Sequence, residues 1–163
     1  LEKKTGLAKD FSDEELIVIA SLVEREARSD EDRAIVAGII MNRLKLGMYL
    51  GVDATNQYYV PFLRANCPER LRFKCFSYEE ALEVDWWPAD MTGEELAFDS
   101  PYNTRKRLGL PPTPISSFGV SSLKATTNPL ETDYLYYLSD KSGAMVYAVS
   151  MEDHTKNIIQ YLR

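Results

Sequence analysis

Apolar and polar positions along this chain follow two periods in turn, first that of a helix and later that of a strand. Leu16, Ile19, Ala20, Val23 and Ala27 recur at helical spacing, which predicts an amphipathic helix with one face on a core. Its start is written in Phe11-Ser12-Asp13-Glu14-Glu15-Leu16. Ser12 is the N-cap, Glu15 closes a capping box, and Phe11 is placed to staple onto Leu16. The pattern runs to about Arg28. A second helix, capped by Ser29 or Asp30, carries Ile35, Val36, Ile39, Ile40 and Leu44 and stops at Gly47, a residue type suited to the position after a helix end. The short link predicts a helical hairpin with facing stripes.

The strand period comes late. Residues 134–138 and 145–149 flank Asp140-Lys141-Ser142-Gly143, a β-hairpin pattern, and a last helix from Ser150 carries Ile158, Ile159 and Leu162. Residues 48–60 show neither period and are rich in small polar side chains, so they read as a loop or short extended segment. Residues 61–98 read as an insertion with a small capped helix at Ser77-Tyr78-Glu79-Glu80. Pro101, Pro111, Pro112 and Pro114 make 99–120 an ordered loop. Residues 121–127 form a short helix that must end before Asn128-Pro129. Helices first and strands later point to an α+β fold rather than alternating βαβ units. The expected organisation is a polar stub over 1–10 and one domain over 11–163.

Charge and composition narrow the function. With 19 Lys+Arg against 25 Asp+Glu, the net charge is −6 over 163 residues, so no basic excess exists to grip nucleic acid phosphates. The apolar run at 16–20 is far short of the roughly 20 residues a membrane helix needs. The chain opens on Leu1-Glu2-Lys3-Lys4 without Met or an apolar leader, so it reads as a mature product or excised domain whose anchor, if any, lies outside it. His154 is the single histidine, which removes most histidine-based metal sites. Cys67 and Cys75 have the wrong spacing for a zinc ribbon. They either close a disulfide loop in an oxidising compartment or stay as thiols, and spacing leaves both open.

Candidate chemistry begins on the first helix. Glu24 and Glu26 sit on opposite flanks of the apolar stripe, Glu24 about 80° from its centre. A carboxylate on such a rim is partly desolvated, which raises its pKa and suits it to general acid work. The plain alternative is a solvated Glu24 paired with Arg28. Asn42 interrupts the apolar stripe of the second helix, so it either ties down the following loop or faces a polar cleft. Asp53-Ala54-Thr55-Asn56-Gln57-Tyr58 and Asp99-Ser100-Pro101-Tyr102-Asn103-Thr104 gather donors, acceptors and an aromatic ring. Such sets bind sugars, but the same residues also make turns. No phosphate-binding glycine loop, zincin helix or nucleophile elbow is present.

In combination these segments resemble the YceG-like endolytic murein transglycosylases. Ser21-Leu22-Val23-Glu24-Arg25-Glu26-Ala27 is similar to the family's Ser-Ile-Val-Glu-x-Glu helix, and Asn42-Arg43-Leu44-Lys45-Leu46-Gly47-Met48 to its Asn-Arg-Leu-x-x-Gly-Met element. Asp99-Ser100-Pro101-Tyr102-Asn103-Thr104, then Gly109-Leu110-Pro111-Pro112-Thr113-Pro114-Ile115, Asn128-Pro129, Thr132-Asp133-Tyr134-Leu135-Tyr136 and His154 follow in order. The chain departs from the family at Gly51-Val52-Asp53-Ala54-Thr55, where Gln, a small polar residue and Asp-Pro-Thr are usual, and at Arg105, where an aromatic is common.

The resemblance implies cleavage of the bond from N-acetylmuramic acid to N-acetylglucosamine within peptidoglycan strands, leaving a 1,6-anhydro end. It maps the essential acid onto Glu24 and offers Asn42, Asp53, Thr55, Ser100, Tyr102 and Asn103 as glycan-holding residues, with no cofactor or metal. It also implies an extracytoplasmic location, tethering by an N-terminal anchor outside this sequence, glycan strands as partner and cell-wall synthesis proteins as further partners. Outside the cytoplasmic membrane a Cys67–Cys75 disulfide would persist. The alternatives are a hydrolytic muramidase using Asp53 or Asp99 as second carboxylate, and a non-catalytic peptidoglycan-binding or scaffold domain.

Overall fold

A computed structural model describes residues 3–65 and 77–162. Cys67 and Cys75, and with them the disulfide expectation, lie outside the described residues. A short 3-10 turn at Gly6–Asp10 leads into α1 (Asp13–Glu26), α2 (Asp30–Lys45) and α3 (Asp53–Arg64). Two short helices follow, α4 (Tyr78–Glu83) and α5 (Gly93–Ala97), then α6 (Val120–Thr127), the strands β1 (Tyr136–Ser139) and β2 (Met145–Ala148), and α7 (Met151–Tyr161). Among the described residues, a mainly helical body with one two-stranded antiparallel sheet agrees with the α+β expectation.

Local chemistry explains the first elements. Ser12 accepts the Glu15 N–H while Glu15 returns to the Ser12 N–H, the full capping box. Leu16, Ile19, Ala20 and Val23 are wholly buried, and α1 stops at Glu26 because Ala27 turns extended. Ser29 caps α2, and Gly47, at φ +63, ends it in the left-handed region. Helix α6 packs across both α1 and α2.

Residues 53–64 are the main departure, a helix where a loop or extended segment is expected up to residue 60 and an insertion from residue 61. Thr55 and Asn56 are fully buried in α3, so its inward face is partly polar. Thr55 Oγ1 donates to the Val52 carbonyl at 2.6 Å and meets Thr104 Oγ1 at 2.9 Å. These bonds satisfy groups that would otherwise be costly to bury. The small helix at 78–83 has its capping box from Ser77 and Glu80, whereas α5, capped by Thr92, is an addition to the expected elements. Residues 99–119 hold no helix or strand.

The proline-rich segment is nonetheless fixed. The Ile115 N–H donates to Ser21 Oγ at 3.1 Å, and the Ser116 hydroxyl donates to the Ser21 carbonyl at 3.0 Å. In the hairpin, Tyr136 pairs with Ala148 and Ser139 with Met145. Asn157 and the α7 contacts close its outer side.

Candidate active site

Two glutamates leave the last turn of α1 and reach different places. Glu24 Oε2 accepts the Gly119 N–H at 3.0 Å and the Ser122 hydroxyl at 2.5 Å. Gly119 is the N-cap of α6 and has no side chain to cap it, so Glu24 supplies that cap from a neighbouring helix. Those two bonds stabilise its ionised form, and its pKa lies below the usual carboxylate value, with the Ser122 bond the largest cause. The elevated pKa expected from its rim position is therefore corrected: capping outweighs the partial burial.

Glu26 is the carboxyl whose pKa is raised. Burial is the largest cause, and Asp53 adds to it, while the Tyr137 hydroxyl and the Ala54 N–H pull the other way. The side chain is half-buried: protein surrounds it, yet it borders an open cleft of about 840 Å³. Tyr137 Oη donates to Glu26 Oε2 at 2.8 Å. Ala54 stands in the first turn of α3, whose N-cap Val52 offers no side-chain bond, so Glu26 meets a helix N-terminus as Glu24 does.

The cleft runs between the end of α2, the start of α3, and β1 with α7. Its walls include Arg43, Tyr49, Asp53, Arg105, Tyr136, Tyr137 and His154. Arg43 Nε donates to the Leu135 carbonyl at 2.5 Å, and the same guanidinium bonds the Leu50 carbonyl. It also lies over the Tyr136 ring at 5.1 Å, and His154 stacks on that ring at 5.3 Å. Burial holds the His154 pKa below its ordinary value, so the imidazole is neutral near pH 7. Asp53 is exposed and bonded by Arg105, with Nε at 3.0 Å from Oδ1. Aromatic rings, hydrogen-bonding groups and a carboxyl of raised pKa suit a hydroxyl-rich ligand and acid catalysis on it. Among the described residues no cluster of His, Cys, Asp or Glu is suited to a metal ion.

Of the residues singled out from sequence for ligand contact, Asp53 lines this cleft and the others do not. Thr55, Ser100 and Asn103 are buried. Asn103 Nδ2 donates to the Leu96 and Phe98 carbonyls at 2.9 and 2.7 Å, and its Oδ1 accepts the Arg105 N–H at 3.0 Å. Ser100 Oγ accepts the Tyr102 N–H at 3.2 Å. Tyr102 meets Thr113 Oγ1 at 2.8 Å and tilts against Tyr58. This cluster is therefore turn chemistry that carries Arg105 to the cleft. Asn42 does not serve the loop that follows it. Its Nδ2 donates to the Thr132 carbonyl at 2.8 Å, from the segment leading into β1, and it borders a separate hollow of about 320 Å³.

Asn42→Leu is expected to lower the unfolding free energy by about 1–3 kcal/mol, because a partly buried carbonyl loses its donor. Faster amide exchange in β1 should accompany a lower melting temperature. Unchanged melting and exchange would show that this bond contributes nothing.

Local sequence patterns hid most of the cleft. Arg43 follows Asn42 on a largely apolar helix, and Tyr136 and Tyr137 occupy adjacent strand positions. An arginine inside a helical stripe was the available signal, since such a cation needs acceptors from elsewhere in the fold.

A model of the YceG-like family matches residues 2–160. A protein of Bacillus subtilis named endolytic murein transglycosylase is 34% identical over 147 residues, which are 90% of this chain and 34% of that protein. A Streptococcus pneumoniae protein of the same name is 31% identical over 156 residues, 95% of this chain and 25% of that one. The crystal structure of a YceG-like protein from Listeria monocytogenes superposes with a TM-score of 0.70 at 32% identity, covering 91% of this chain and 41% of that one. This chain thus spans about a quarter to a third of the length of the curated relatives it matches.

Proposed function

Because this chain belongs to the YceG-like family, we propose that it cleaves glycan strands of murein as an endolytic lytic transglycosylase, with Glu26 as its acid and base. The observation that carries this reading is the half-buried Glu26 carboxyl, its pKa raised by burial, at the wall of an open aromatic cleft. A carboxyl so placed keeps its proton to higher pH than an exposed one, as a general acid must.

In the first step protonated Glu26 donates to the glycosidic oxygen as the bond to the muramic acid C1 breaks and positive charge develops on that sugar. In the second, the Glu26 carboxylate takes the proton of the 6-hydroxyl while its oxygen bonds to C1 and closes the 1,6-anhydro ring. One carboxyl serves both steps, and no water enters. Tyr49, Tyr136 and His154 give the cleft an aromatic wall for sugars to lie against, and Asp53 with Arg105 forms the polar rim. Glu24, the residue to which the sequence resemblance assigns the acid, holds α6 in this reading. Asn42, Thr55, Ser100, Tyr102 and Asn103 act through the loops and strand they fasten.

With this activity the domain would work outside the cytoplasmic membrane on glycan strands, with cell-wall synthesis proteins as proposed further partners. No helix among the described residues is long and apolar enough to cross a membrane.

A hydrolytic muramidase is the second reading, because Asp53 puts another carboxylate on the same cleft. Mass analysis of products from purified peptidoglycan separates the two. The transglycosylase leaves anhydro ends, each lighter by one water than a hydrolysed end. Reducing ends alone would overturn the first reading in favour of the second, and uncut strands would leave a binding domain.

A further inference from the structure

Tyr137 touches the proposed acid directly, and the two steps above do not use it. It comes from β1, while Glu26 ends α1, and the two are joined by a bond of 2.8 Å from Oη to Oε2. Burial first, and then the adjacent Glu26 charge and hydrogen bond, keep the phenol pKa well above its ordinary value. The hydroxyl is therefore a standing donor, not a second base. A donor fixed on one oxygen sets the rotation of the whole carboxyl group. It also favours the ionised form, the form that exists between the two steps.

We infer that Tyr137 is a positioning residue for the reaction: it holds Glu26 by Oε2, sets the orientation of the carboxyl toward the glycan, and stabilises the carboxylate until the 6-hydroxyl proton returns. This rests on the assignment of Glu26 as the acid. Asp53 from α3 and Arg25 from α1 act on Glu26 by charge, and Arg43, Arg105 and His154 face it along the same cleft. The Ala54 N–H at the start of α3 also bonds the carboxyl, and Tyr137 is the side chain that does so.

Tyr137→Phe removes the hydroxyl and keeps the ring, which packs against the core cluster. Two measurements test it: titration of the 13C-labelled Glu26 carboxyl by NMR, and the pH dependence of kcat on purified strands. The variant should titrate at higher pH than the wild type. The alkaline limb of kcat should move the same way, because the acid works protonated. At the optimum kcat should fall about tenfold or more, as for loss of a charge-assisted bond of roughly 1.4 kcal/mol, with KM little changed. Placing 3-fluorotyrosine at position 137, a stronger donor of similar shape, should move the titration in the opposite direction. This second substitution keeps the test decisive even where Tyr137→Phe lowers stability.

An unchanged titration and kcat in Tyr137→Phe would overturn the inference while leaving Glu26 as acid. Normal cleavage by Glu26→Gln would instead remove the acid assignment and the catalytic meaning of Tyr137 with it.

Discussion

Glu26→Gln is expected to reduce strand cleavage by about 10²–10⁴-fold, the usual range for loss of a general acid–base group. The amide preserves size and can still accept the Tyr137 hydroxyl, but it carries no transferable proton. Its effect on stability has the opposite sign. The folded pKa of Glu26 is raised, so the folded protein holds a proton that the unfolded chain releases first. Wild-type stability therefore declines as pH rises from the ordinary carboxylate value through the raised one. Glu26→Gln escapes that decline, and its melting temperature should exceed the wild type's at neutral pH and approach it in acid.

Glu24→Gln is the paired measurement, with both signs reversed. Its folded pKa is lowered, so its contribution to stability is present above the ordinary carboxylate value and is lost as pH falls through the folded one. The variant should melt earlier at neutral pH while each folded molecule keeps most of its turnover. Strand cleavage assays and thermal melts on both variants decide between the two glutamates. Loss of cleavage in Glu24→Gln, with wild-type turnover in Glu26→Gln, would return the acid's role to Glu24.

The second large effect is expected far from the chemistry, at Gly38 in the middle of α2. A Cβ built there would lie 2.3 Å from the carbonyl oxygen of Leu130, well inside van der Waals contact. The neighbouring backbone is itself pinned, since the Leu130 N–H donates to the Ala34 carbonyl at 3.0 Å. Relief requires the segment after α6 to lift off α2, and overpacking of this kind costs about 1–3 kcal/mol. Alanine has the better helix propensity by roughly 1 kcal/mol, but that gain is smaller than the upper part of this cost. Gly38→Ala should thus lower the denaturation midpoint in urea. An equal or higher midpoint would show that the loop gives way without penalty.

How much of this could be read from the sequence depended on the range of the interactions. The capping box at Ser12 and Glu15, the stop at Gly47 and the hairpin around Asp140 are local, and the pattern rules found them. Helix α3 escaped because Thr55 and Asn56, buried in it, are polar residues whose partners, Thr104 for the Thr55 hydroxyl and Tyr59 for the Asn56 amide nitrogen, are set by the fold. The Asp99–Thr104 cluster has ligand-like chemistry, yet its buried members spend it on backbone groups. Glu24 and Glu26 differ by two positions on one helix, and periodicity gives both a rim location. What separates them is Gly119 and Ser122 on one side and Tyr137 on the other, each more than 90 residues away.

The same separations set an order of assembly. Glu26 and Tyr137 are 111 residues apart, Asn42 and Thr132 are 90, and Asp32 and Tyr147 are 115. The first two helices can form and pair early from neighbouring residues, but contacts of such long range arise slowly because large loops must close first. Until the hairpin docks, Glu26 is an ordinary solvated carboxyl without its phenol partner. A chain still emerging or half folded would therefore carry Glu26 without the surroundings that raise its pKa, and on the proposed function cutting would await the docking of the hairpin.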